Sequence, residues 1–177
     1  VWTQQGIRRR MRDRLRRGGY MSEIESRNLP SQPTLVMRTE TTVAGIPEFL
    51  GRAYGASAAH AQVAGVDIVG PPFARYERLN GPESGFAIEA GFPVSKAVDG
   101  SGDVEASALP GGPAAAIWHI GPYDTMQPTY AAAMAWIEEQ GATPSGTPWE
   151  IYYSDPSTEP DPATWRTEVI WPYLPGG

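Results

Sequence analysis

Glu150 and Glu168 each stand in a run of aromatic and β-branched residues, TPWEIYYSD and WRTEVIWPY. Runs of this kind, joined by a Pro/Asp-rich connection, read as two strands. Strand side chains alternate faces, so Glu150 shares a face with Tyr152, and Glu168 shares one with Arg166 and Ile170. A carboxylate among apolar groups costs several kcal/mol unless it is paired or takes up a proton. A bound cation removes that cost. Aromatic faces add ~0.5–2 kcal/mol each toward a desolvated cation, and a flat ligand gains ~25 cal/mol per Å² of apolar area buried. The acid therefore selects charge while the rings supply most of the affinity, and neither depends on fine hydrogen-bond geometry. The plainer alternatives are an ion pair of Glu168 with Arg166 or Arg75, a solvated strand end at Glu150, and ordinary packing for Tyr152.

The elements that must hold these residues follow from punctuation and period. Residues 22–33 are a polar lead. Strands are expected at 34–42, 72–79, 86–94, 104–109 and 114–120, with a turn at NGPESG between the second and third. Pro47 opens a helix that stops near Gly65. A second helix runs over 125–140 and ends at Gly141. Leu50, Ala53, Tyr54, Ala61 and Ala64 make the apolar stripe of the first helix. Met126, Tyr130, Ala133, Met134 and Ile137 make that of the second.

These two halves repeat. At an offset of 76, Gly45 falls on Gly121, Tyr54 on Tyr130, Gly65 on Gly141, Gly70 on Gly146, Pro72 on Pro148, Phe73 on Trp149 and Tyr76 on Tyr152. Three residues further out of register, Glu89 falls on Glu168 and Phe92 on Trp171. The chain is thus two β-α-β-β units, one over 34–94 and one over 114–173, joined by a linker at 95–113. The expected fold is α+β: one sheet built from both units, both helices on one side, and a cleft near the pseudo-twofold axis on the other. Tyr76, as the mate of Tyr152, faces that cleft from the first half.

Composition narrows the partners. Of fourteen basic residues, seven lie between Arg8 and Arg17; from Met21 onward there are seven basic and nineteen acidic residues. An acidic body favours cationic small molecules over nucleic acid. The basic stretch, with the rest of residues 1–20, reads as an upstream extension, able at most to give weak, sequence-blind affinity for nucleic acid. No cysteine and two separated histidines, His60 and His119, argue against a metal centre, and no phosphate-cradling glycine motif is present, so no cofactor is expected. His119 reads as a satisfied strand histidine. The absence of a long apolar run points to a cytoplasmic protein with no membrane partner.

WHIGPYDTMQPTYAAAMAWIEEQG, followed by TPWEIYYSDP and WRTEVIWPY, resembles the GyrI-like effector-binding domain of MerR-type and AraC-type bacterial regulators, over about residues 34–177. The resemblance implies a duplicated, SHS2-like fold whose cleft takes bulky amphipathic or cationic molecules around a glutamate in an aromatic cage. By position, it places Glu150, Glu168, Tyr152 and Tyr76 at the ligand, with Trp118 and Tyr123 as walls. Only about thirty residues precede the first expected strand, too few for the DNA-binding domain those regulators carry. Three functions follow: a stand-alone binding protein for drugs or toxins; a co-regulator acting through a partner protein; or a hydrolase of cyclopropanoid-type natural products. In the last, Glu150 or Glu168 would activate water while Tyr152 or Tyr76 polarises the substrate, help worth ~10²–10⁴ in rate.

Overall fold

The computed structural model describes residues 23–79 and 85–177; the Arg8–Arg17 stretch and most of the turn at 80–85 lie outside these. The first half contributes β1 (Glu25–Leu29), β2 (Gln32–Thr41), α1 (Ile46–Ala64), β3 (Phe73–Arg78) and β4 (Phe86–Pro93). The second contributes β5 (Glu105–Leu109), β6 (Gly112–Ile120), α2 (Gln127–Glu139), β7 (Thr143–Pro144), β8 (Trp149–Tyr152) and β9 (Arg166–Leu174). Both helices carry a proline in the first turn, where a missing N–H costs nothing. Gly65 and Gly141, at φ +62° and +68°, turn the chain out of them in the left-handed region. The second helix begins later than its periodicity suggests, because Tyr123–Thr125 forms a 3₁₀ turn instead.

Every strand pairing is antiparallel, and the order along the sheet is β1-β6-β9-β8-β3-β4-β2-β5, with β7 against the end of β9. The two halves meet at β3 and β8, where Phe73 pairs Ile151, Ala74 pairs Glu150 and Arg75 pairs Trp149. The offset of 76 maps this short ladder onto itself. The pseudo-twofold axis therefore passes between Ala74 and Glu150.

The stretch read as a polar lead contributes a strand. β1 lies at the edge of the sheet with most of its side chains exposed, and its sequence, ESRNL, lacks the apolar and polar alternation that marks a half-buried strand. It does not pair with its neighbour in sequence. β1 pairs β6 from Glu25–Ala116 to Leu29–Gly112, and β2 pairs β5 from Gln32–Leu109 to Val36–Glu105. These are one register, broken only where Pro30-Ser31 crosses Pro110-Gly111. Each half thus gives its leading strand to the other. Because the two ends of the strand order belong to one two-stranded ribbon, the sheet curls toward closure.

Both helices cover the same face. Phe49 and Ala53 of α1 pack on Leu35, Met37, Ala74, Ile88 and Ala90 of the sheet, while Ala133 of α2 and Met126 just before it pack on Ile117 and Val169. The opposite face has its own core of Val36, Phe73, Leu109, Ala114, Ala116, Trp149 and Ile170, enclosed by the curl. Among the described residues no helix is long and apolar enough to cross a membrane.

Candidate functional site

Glu150 and Tyr152 do share a face, and it is the helix-covered one, not the side away from the helices. Strand pairing decides this, since Glu150 lies opposite Ala74 and Val169, both in the helix-side core. Glu150 is 8% exposed. Its two oxygens are held by two tyrosines: Tyr130, on α2, donates to Oε1 at 2.6 Å, and Tyr152 donates to Oε2 at 2.7 Å. The Tyr76 and Tyr152 hydroxyl oxygens are 2.8 Å apart. Since Tyr152 spends its proton on Glu150, Tyr76 is the donor there, so two hydroxyls run in series to Oε2 while Tyr130 donates separately to Oε1.

Around this group the rings continue. Tyr123 lies edge-on to Tyr152 at 5.4 Å and stacks on Trp165 at 4.8 Å, Tyr76 meets Phe86 at 6.2 Å, and Tyr54 meets Phe92 at 5.6 Å. Tyr54, Tyr76, Tyr130 and Tyr152 are half-buried, and Tyr123 is exposed. The two helical tyrosines and the two strand tyrosines are repeat mates, so the cage is built twice while the carboxylate is built once. At its mate, Ala74, there is only a methyl group.

Burial pushes the Glu150 carboxyl above the ordinary carboxylate value, against the opposing pull of the Tyr130 and Tyr152 hydroxyls and of nearby His119. The same burial, with the Glu150 charge, raises the phenols of Tyr76, Tyr130 and Tyr152. Among the described residues no arginine or lysine pairs with Glu150. His119 is satisfied within its own turn, contacting the Thr129 hydroxyl at 3.0 Å and the Pro122 carbonyl at 3.1 Å.

Glu168 is elsewhere. It pairs with Trp118 and Ile151 across the neighbouring strands, which places all three on the opposite face of the sheet from Glu150. It is 2% exposed, and neither Arg166 nor Arg75 reaches it. Its partner is Arg27 of β1, with Nη1 2.7 Å from Oε1. Trp118 stacks on Tyr153 at 4.8 Å rather than walling the Glu150 cage. Of the six residues named from the sequence, the fold thus gathers Glu150, Tyr152, Tyr76 and Tyr123 in one place and sets Glu168 and Trp118 in another. Tyr54 and Tyr130 belong to the first group although their spacing marked them as helix stripe. Their coincidence in the repeat, beside that of Tyr76 and Tyr152, is the signal that could have found them.

The chain resembles several solved structures. The C-terminal domain of EcmrR superposes with a TM-score of 0.75 at 19% identity, over 87% of this chain and 98% of that one. In a complex of EcmrR with DNA the TM-score is 0.76 at 18% identity, over 96% of this chain, which spans 64% of that longer one. A protein described as a hydrolase from Listeria innocua matches with a TM-score of 0.67 at 12% identity, over 92% of this chain and 98% of its own. SAV2435, in a structure bound to tetraphenylphosphonium, matches with a TM-score of 0.53 at 15% identity, over 86% and 94%. At these identities the likeness is one of fold. No curated protein matches the sequence. The sequence itself fits the GyrI-like small molecule binding domain family over residues 22–174, so this duplicated sheet, with its tyrosine-ringed acid on the axis, belongs to that family.

Proposed function

We propose that the chain binds bulky amphipathic or cationic organic molecules at the Glu150 cage, in the cytoplasm, to sense or sequester them. One observation carries this reading: a buried carboxylate on the axis of the molecule, ringed by tyrosines from both halves, with no arginine or lysine of the described residues paired to it. Such a group is expensive to keep unless something positive comes to it. The half-buried rings around it give a lipophilic cation a surface to lie on. Tetraphenylphosphonium, present in the SAV2435 structure, is the probe to use. Titration calorimetry is expected to give saturable binding that E150Q weakens at least about tenfold, with the ligand recovered unchanged. Equal affinity in E150Q would end this reading.

A second reading, hydrolysis of a reactive cyclopropanoid-type compound, draws support from the hydroxyl series Tyr76–Tyr152–Glu150. A carboxyl raised by burial holds a proton more readily than an ordinary one, and Tyr152, hydrogen-bonded to it, would polarise a substrate oxygen once a substrate takes the place of that bond. It requires a product one water heavier, formed over many turnovers and lost in both E150Q and Y152F.

A further inference from the structure

We propose that the face of the sheet opposite Glu150 carries a second ligand site: a cavity floored by Phe73, Trp149, Ile151 and Ile170 and flanked by Glu168, which takes the ammonium or guanidinium head of a small amphipathic cation. This site is separate from the Glu150 cage and does not depend on what that cage binds.

The two halves differ at equivalent positions on this face. Glu89 is the mate of Glu168, and it is fully clamped. Arg75, directly across β3–β4, donates from Nε to Oε1 at 2.8 Å; Arg38, across β2–β4, donates from Nε to Oε2 at 3.0 Å; and Ser107 adds a hydroxyl at 3.2 Å. Arg38 also pairs with Glu105. Two carboxylates are thus matched by two guanidinium groups.

In the second half the same positions are filled differently. Ile151 stands across from Glu168 where Arg75 stands across from Glu89, and Trp118 stands where Arg38 does. Glu25 takes the place of Glu105, and Arg27 that of Ser107. Among the described residues Arg27 is the one cation paired with these two acids. Its Nε and Nη2 go to Glu25 Oε2 at 3.1 and 2.9 Å, leaving Nη1 for Glu168. That contact is a close ion pair without a well-directed hydrogen bond, so Oε1 of Glu168 is buried and lacks a hydrogen-bond donor. The Tyr153 hydroxyl reaches the other oxygen only at 3.4 Å. This half is short of one positive charge.

Space is present beside the deficit. A cavity of about 290 Å³ is lined by Glu168, Arg27 and the apolar floor, with Val69 and Tyr153, 52% and 40% exposed, also on its wall. That volume lies near the small end of the ~300–1,000 Å³ range of ligand pockets, which suits a short alkyl or phenylalkyl cation. Its head supplies the charge that Arg75 supplies in the first half, and its tail covers Trp149 and Ile151.

The test uses hexylammonium and, with the same tail and no charge, hexanol. Both are titrated by calorimetry into the full chain carrying E150Q, so that the first site is weakened and is the same in every arm. Saturable binding of hexylammonium is expected, tighter than that of hexanol. Adding E168Q removes the acid, and adding I151R restores the missing guanidinium in place; each is expected to weaken hexylammonium at least about tenfold. Should I151R not fold, E168Q alone decides. No binding to the E150Q chain, or equal affinity with and without E168Q, overturns the proposal.

Discussion

Glu150 is kept ionisable by two hydroxyls, those of Tyr130 and Tyr152, and kept costly by its burial. Its folded-state carboxyl lies above the ordinary value, so the folded protein takes up this proton more readily than the unfolded chain does. The resulting stability is fully present in acid and is lost as pH rises from the ordinary carboxylate range through the raised one. E150Q is therefore expected to melt at a higher temperature than the natural sequence at neutral pH, with the gap closing on acidification; thermal melts at pH 4 and pH 7.5 check this. A gap that widens in acid would show that the hydroxyls outweigh burial. The acid and its tyrosine neighbour on β8 were legible, because an alternating strand tells which side chains travel together. Tyr130 was not, since at helical spacing a tyrosine reads as packing until the facing strand is known to hold an acid. Arg27 was out of reach altogether: its pairing with Glu168 depends on a strand that looks like loop and that joins the far half.

At the level of elements, the strand, helix and glycine positions of both repeats could be placed from sequence to within a few residues, whereas the exchange of β1 and β5 could not. Hydrophobic pattern tells which face a strand buries, not which partner it joins, and an edge strand with exposed side chains has little pattern to offer. The β2–β4 pairing also rests on a feature with no signature in the pattern. A Cβ at Gly91 would come within 1.9 Å of the Leu35 carbonyl oxygen, so the two backbones approach there as only glycine permits. G91A is expected to cost about 1–3 kcal/mol, or roughly 2–12 °C in Tm. Far-ultraviolet circular dichroism melts would read the loss, and an unchanged Tm would mean that the close approach relaxes freely.

For the whole molecule, the pseudo-twofold axis explains why there is one acid and not two. Ala74 is wholly buried and lies opposite Glu150 on that axis. A74E would set a second carboxylate against the first, and like charges at such a distance cannot both stay ionised. It is expected to destabilise the protein by about 3 kcal/mol or more at neutral pH, and to recover part of that as acid protonates the pair. A74Q separates volume from charge: if it melts as low as A74E at every pH, crowding and not charge is responsible.

The crossed ribbon has a consequence for ancestry. A peptide holding a single β-α-β-β unit of this design cannot complete its own sheet, because the strand that opens it belongs on another unit's edge. Two such peptides would satisfy each other by trading those strands, as a twofold homodimer. Joining two such units through residues 94–104 makes that encounter intramolecular, at an effective concentration on the order of millimolar. It also lets the two copies differ, with alanine on one side of the shared axis and glutamate on the other, an asymmetry that no homodimer can encode.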